Sequence, residues 1–238
     1  MKPVIIVCAR RDLGDWRDVD QTLAALSAYA DLPVHVFWRG ARPPDWSHEF
    51  GVYCSPQADG LDTFGAAFGW AVDQVDSDEL ILCNDDVRVH PDSVRILMDD
   101  VQQLVDHTEK VGFVAARSNF AAGGQNIRIP MGEARPHGIR WQHETAIVET
   151  ERVSPIFAFV TREALTHTTW PDCNWYSDDI MCWDLAQAGY HHYVSRCYVD
   201  HLGERCTREH GATQEDLDTA GKEWARANRP DFYAAKLA

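Results

Sequence analysis

An α/β fold, with a mostly parallel central sheet flanked by helices, is what the 238-residue sequence predicts, on three observations. Short continuous apolar runs at residues 3–9 and 79–83 read as strands buried on both faces, the habit of parallel sheets. Such runs alternate with stretches whose apolar residues recur at helical spacing. The run ending at Cys83 also gives way at once to Asn84, Asp85 and Asp86, and open α/β sheets bind ligands beyond the carboxyl ends of their strands. One domain suffices, since single α/β domains routinely reach roughly 200–250 residues.

After the first strand, Val19, Leu23, Leu26 and Ala30 place a helix over residues 17–30, and residues 32–38 read as a strand that completes a βαβ unit. Residues 39–44 form a loop by their Gly and Pro content, and residues 52–54 make a short third strand. Phe64, Ala67, Phe68, Ala71, Val72 and Val75 stripe a helix over residues 62–75. Beyond the strand at 79–83, Pro91 fits the first position of a helix with Val94, Leu97, Val101, Leu104 and Val105 on one face, and residues 111–115 read as the strand after it. Residues 117–143 are rich in Gly and Pro and read as a long irregular loop, a class that is usually functional or disordered. Residues 153–161 form a strand in which Pro155 marks an edge or an approach. A helix over 177–188 is closed by Gly189, a strand follows at 192–199, and an acidic, Ala-rich surface helix occupies 213–227. The expected organisation is a domain over residues 1–207 with a helical extension, 208–238, packed on it.

A net charge of −15 repels phosphate backbones and makes duplex nucleic acid an unlikely partner class. No apolar run approaches the roughly 18 residues needed to cross a bilayer. Met1-Lys2-Pro3-Val4 leads straight into a strand, so the expectation is a cytoplasmic protein without a signal peptide or transmembrane segment. Seven cysteines, an odd number with no CxxC, point to a reducing compartment. Cys197, His201, Cys206 and His210 alternate zinc-capable ligands and define a rival reading, a zinc-organised interaction protein.

Three motifs stand in order along the chain: Asn84-Asp85-Asp86 between a strand and Pro91; Ser177-Asp178-Asp179 ahead of a helix ending in Ala188-Gly189-Tyr190; and Asp200-His201-Leu202-Gly203. Together they resemble the GT-A glycosyltransferases, family 2 in particular, over roughly residues 3–207. The departures are Asn84 in place of the first acid of the DxD-type motif, and Ser177 in place of the Glu that often opens the second motif. Phe37-Trp38-Arg39-Gly40 also stands where an acid is common.

The resemblance implies a GT-A, Rossmann-like nucleotide-diphospho-sugar transferase fold. It implies a hexosyl- or pentosyltransferase that moves a sugar from a nucleotide-sugar donor to a hydroxyl-bearing acceptor, inverting the anomeric centre. The donor is expected to be a UDP-sugar, and the acceptor a glycan, a protein or a modified nucleobase. Departure of a nucleoside diphosphate builds negative charge that a divalent cation offsets, and such a cation needs only one or two protein carboxylates beside the substrate phosphates. Asp86 is the expected first metal ligand, with Asp85 or Asn84 assisting and His201 approaching from the last strand; an imidazole tilts the choice to Mn²⁺ over Mg²⁺. An attacking hydroxyl must lose a proton to a carboxylate. Asp178 holds the family's base position, and Asp179 stands beside it. Ala9, Arg10 and the segment 59–68, beginning at Asp59, are expected on the nucleotide, and Trp175 and Tyr176 on a sugar ring. A plainer account treats both acidic clusters as helix-start residues favoured by the helix dipole. A second rival is a catalytically idle module that binds a nucleotide or glycan.

Overall fold

The structure, a computed structural model, describes residues 2–121, 123–129, 138–139, 146–203 and 213–238. Cys206, His210, about half of the loop expected over 117–143 and the expected 207/208 boundary lie outside the described residues. Strand β1 (Val4–Arg11) is buried on both faces. Its odd-numbered residues Ile5, Val7 and Ala9 enter one apolar core, and Val4 and Ile6 enter the other. It pairs in parallel with β2 (Val34–Gly40) and β4 (Glu79–Asn84), and β2 pairs in parallel with β3 (Tyr53–Pro56).

Among the described residues nine strands form the main sheet in the order β3-β2-β1-β4-β10-β6-β11-β5, with β9 also on β11. Strand β10 (Phe157–Thr161) runs antiparallel between β4 and β6 (Val111–Ser118), and β11 (His191–His201) is parallel to β6. Strands β5 (Val87–Val89) and β9 (Val148–Thr150) are antiparallel to β11, while β7 (Arg128–Ile129) and β8 (Gly138–Ile139) pair separately. The mostly parallel sheet is therefore as expected, but β10 is a central strand. Pro155 lies just before it, where no ladder hydrogen bond is lost.

Helices α1 (Arg17–Tyr29), α2 (Trp46–Phe50) and α4 (Ser93–Val105) cover one face, and α3 (Phe64–Asp73), α5 (Arg162–Leu165) and α6 (Ser177–Gln187) the other. Pro91 does not begin α4. Residues 90–93 form a turn closed by Ser93 N–H donating to the His90 carbonyl, because β5 has first carried the chain back along β11. That strand was not expected, and it places the site: only Asp85 and Asp86 separate β4 from β5. Val87 then lies within about 11 Å of Asn84 along the chain. Val87 pairs with His201, so the end of β11 is drawn to the end of β4.

Helices α7 (Gln214–Asn228) and α8 (Pro230–Lys236) pack on α6, with Ala225 and Phe232 buried against Ile180. Helix α7 starts with a capping box between Thr213 and Asp216.

Asp100 on α4 is fully buried and accepts from Ser195 Oγ at 2.7 Å, Arg196 N at 2.7 Å and the Arg196 guanidinium. It ties the covering helix to the strand that carries His201. Removing one partner of a buried ionic network costs about 3–5 kcal/mol. Asp100→Ala is expected to lose about 3 kcal/mol in urea unfolding, and a loss under about 1 kcal/mol would deny the network that role.

Candidate active site

The parallel strands bring the ends of β1, β2, β4, β6 and β11 to one edge, with the start of β10 among them. On this edge Asp85 and Asp86 are 5% and 4% exposed. Two buried carboxylates require two partners. Asp85 Oδ2 accepts from Arg11 Nη1 at 2.6 Å, and its backbone carbonyl accepts from Thr22 Oγ1 at 3.0 Å. Arg11 itself is 2% exposed. The odd-numbered face of β1 carries Ile5, Val7, Ala9 and then Arg11, so strand alternation was a readable signal for it.

Asp86 faces the other way. Its Oδ1 lies 3.0 Å from His201 Nε2. His201 Nδ1 lies 2.6 Å from the Phe120 carbonyl, which can only accept, so Nδ1 carries a hydrogen. A neutral imidazole would then point the Nε2 lone pair at a carboxylate oxygen, and a proton or a cation must sit between them. Burial pulls the His201 pKa down, but the hydrogen bond and charge of Asp86, helped by the Phe120 carbonyl and Asp85, outweigh it and the net shift is upward. The Asn84 amide nitrogen is 3.5 Å from the same Nε2, and the His201 amide donates to Asn119 Oδ1 at 2.7 Å.

The pair fits a divalent cation. Two adjacent ligands of an octahedral ion with bonds of about 2.1 Å stand ~3.0 Å apart, and a carboxylate with an imidazole suits Mn²⁺. Among the described residues no group of three or more His, Cys, Asp or Glu side chains could hold a metal, so further ligands would have to come from substrate and water. Asp85, held by Arg11, is not arranged to join. The zinc set is divided by the strand itself: Cys197 is buried in the core, and four residues of strand separate it from His201 by about 13 Å.

Across the edge, α6 begins beside the start of β10. Asp178 Oδ2 accepts from Ser154 Oγ at 2.8 Å, and Oδ1 accepts from the Asp179 amide at 3.1 Å. Ser154 is held by buried Gln125, which accepts from its amide at 2.6 Å and donates to its carbonyl at 3.0 Å. Two residues on, the Ile156 carbonyl accepts from the Asn84 amide at 2.8 Å, which links Asp178 to the end of β4. Burial first, and the charge of Asp179 second, push the Asp178 carboxyl up to about 6. Asp179 is committed to Arg152 Nη1 at 2.5 Å. The two acids therefore differ: the Asp178 carboxyl holds its proton more tightly, and Asp179 is an ion-pair partner. Nothing in the sequence marked Ser154, Gln125 or Arg152, because their roles depend on chain segments far from α6.

Ala9 is 1% exposed in the core, so its side chain cannot face a ligand. Arg10 does reach the edge, where it pairs with Asp12 at 2.9 Å and Asp62 at 2.7 Å. Arg39 of β2 shares Asp62, and these contacts hold the Asp62 carboxyl below its usual range, Arg39 foremost. Asp59 lies in an exposed turn; the acid of that loop that meets Arg10 is Asp62. Trp175 is half-buried, three positions before Asp178 in the chain, with its ring edge-on to that of Tyr176 at 6.5 Å. Tyr176 is the only described non-Gly residue at positive φ, 69°, a conformation costing a bulky residue about 1–2 kcal/mol. Its hydroxyl is spent on Asp218, 2.5 Å away on α7, rather than left for a sugar.

No protein-family model matches the chain, and no curated protein matches it. Among solved structures the chain is similar to GalNAc-T7 with UDP, GalNAc and Mn²⁺, with a TM-score of 0.61 and 8% identity over 84% of this chain and 44% of that one. It is also similar to S. aureus TarS 1–349, with a TM-score of 0.55 and 11% identity over 100% of this chain and 76% of that one. With a longer S. aureus TarS the TM-score is 0.56 at 11% identity, over 100% of this chain and 46% of that one. The chain thus spans under half the length of the GalNAc-T7 structure. At such identities the likeness is one of fold, and the chain has the GT-A fold of these glycosyltransferases.

A carboxyl raised from 3.8 to about 6 holds its proton more tightly in the folded chain than in the unfolded one. Its stabilising contribution is present below pH 3.8 and lost as pH rises through about 6. Asp178→Asn, which removes the charge and keeps the shape, is expected to stabilise the protein by about 1–2 kcal/mol at about pH 8. At about pH 4 the gain should vanish. Paired denaturation curves at the two pH values measure it, and equal gains at both would contradict the assigned shift.

Proposed function

We propose that the protein is a metal-assisted, inverting glycosyltransferase of the family 2 type, moving a sugar from a UDP-sugar to a hydroxyl acceptor, with Mn²⁺ preferred to Mg²⁺. The observation that carries this reading is the His201 Nε2 and Asp86 Oδ1 pair, two electron-pair donors 3.0 Å apart on the ligand edge of a GT-A sheet. The GalNAc-T7 neighbour, which contains UDP and Mn²⁺, supports the same choice of ligands.

Asp86 and His201 would hold the cation, which when bound offsets the charge gathering on the departing diphosphate. The protein's own groups do the rest. The Phe120 carbonyl keeps hydrogen on Nδ1 and leaves Nε2 free to donate its electron pair. Arg11 neutralises Asp85, so the second buried carboxylate does not repel an incoming diphosphate. Arg10 and Arg39, at the ends of the first two strands and paired with Asp62, would offer guanidinium donors on the nucleotide side.

Asp178 receives the acceptor's proton as the hydroxyl oxygen bonds to the anomeric carbon and the bond to the diphosphate breaks on the opposite face. A carboxyl at about 6 is ionised at neutral pH yet more basic than an exposed one, which suits a general base. Trp175, three positions before Asp178 in the chain, would supply an aromatic face for a sugar ring.

Thermal shift across a panel of UDP-sugars, with and without Mn²⁺, is the direct test. UDP is expected to stabilise the parent protein only with the metal, and Asp86→Ala or His201→Ala to abolish that coupling. Asp86→Ala and Asp178→Asn should each cut turnover by at least about 100-fold, and Asn84→Ala by less than about tenfold. Full turnover in either of the first two would sink the assignment, and donor binding without transfer or hydrolysis anywhere in the panel would favour the idle binding module.

A further inference from the structure

The C-terminal helix pair touches α6 along one stripe. Tyr176, Ile180 and Asp184 stand four residues apart and face the same way. Each meets the pair by a different interaction. The Tyr176 hydroxyl donates to Asp218 Oδ1 at 2.5 Å, and Lys222, 2.8 Å from Asp218 Oδ2, keeps that carboxylate charged. Ile180 packs in the cluster of Ala225 and Phe232. Asp184 accepts two bonds from Arg229, at 2.6 and 2.9 Å.

Gly221 lets the helix come this close. A Cβ there would stand 2.9 Å from the Trp175 carbonyl and 2.9 Å from the Tyr176 ring. The side of the first turn of α6 away from this stripe carries Asp178 toward Ser154, while Asp179, on the flank, meets Arg152. The backbone at Tyr176 sets the direction in which that turn leaves, and its positive φ persists only while its surroundings hold it.

We propose that α7 and α8 form a strap that positions Asp178, with Tyr176 as the positioning residue and its hydroxyl bond to Asp218 as the fastening. The role of Asp178 as base rests on the function proposed above; the positioning itself does not. Without the fastening, Tyr176 is free to leave the left-handed region, the first turn of α6 opens, and Asp178 loses its enclosed place beside Ser154.

The test compares Tyr176→Phe, Asp218→Asn and the double variant in the full chain. Carbon-13 NMR follows the Asp178 carboxyl titration, its signal identified by loss in Asp178→Asn. Each single variant is expected to lower the titration midpoint by about one pH unit, and the double to lower it no further, because both changes cut one bond. With UDP-sugar and Mn²⁺, kcat is expected to fall about 3- to 30-fold while the donor KM stays within about twofold, since the nucleotide side of the edge is untouched. Melting temperatures should change by no more than a few degrees, which separates positioning from general loosening.

An Asp178 titration unmoved in both single variants overturns the strap. So does a moved titration with kcat within about twofold of the parent, in a protein that Asp178→Asn inactivates. If Asp178→Asn keeps full turnover, the base assignment is what fails, and the titration alone then decides whether the strap positions that carboxyl.

Discussion

Two carboxylates on consecutive residues, both buried, cannot remain in a protein interior unless each finds its own compensation. Asp85 and Asp86 meet this by facing apart, the first to Arg11 on β1 and the second to His201 on β11. Much of the site follows from that division. The turn between β4 and β5 is held from both sides, so the end of β11 cannot drift from the end of β4. Because Arg11 holds Asp85, Asp86 is the larger of the two charges felt at His201. Because the Phe120 carbonyl accepts from Nδ1, Nε2 is the nitrogen turned to that carboxylate, and a proton or a cation sits between them.

The layout of the fold was legible in the sequence because the strands are buried on both faces and so read as unbroken apolar runs, and because α1, α3 and α4 carry clear stripes. Elements that depend on tertiary pairing were not. Strand β5 has three residues, and its partners on β11 lie more than a hundred positions away; no local pattern announces it. Asp86 and His201 were marked by motif, with Asp86 set ahead of Asp85, yet their contact follows from β5, and no local pattern showed that Arg11 would hold Asp85. Tyr176 looked like a ring for a sugar because it adjoins the acids. Its αL backbone and its bond to Asp218 come from the docking of α7, which spacing along α6 does not encode.

Asp178 shows how stability and activity pull apart at such an edge. Its burial beside Asp179 favours the protonated form, and at neutral pH the ionised carboxylate is held against that preference. Ser154 offsets part of the strain with one hydrogen bond, and Arg152 takes up the neighbouring charge. A fold selected for stability alone would place an amide there. Retaining the acid makes sense where a proton must be accepted, and the brace from Gln125 through Ser154 gives the carboxylate a defined direction.

The two halves of the edge are held by different parts of the chain. The Asp86 and His201 pair depends on β4, β5, β11 and the Arg11 contact; Asp178 depends on α6, on the segment leading into β10, and on the C-terminal helices behind them. The halves are joined where the Asn84 backbone amide donates to the Ile156 carbonyl, two residues from Ser154. Sites without shared partners tend to respond additively, whereas residues within one network do not. Substitutions at Arg11 and at Tyr176 should therefore combine as nearly independent losses, one falling on ligand capture and the other on proton transfer. On the proposed function, the fold in this way separates holding a charged donor, which needs a rigid sheet edge, from accepting a proton, which needs one enclosed carboxylate.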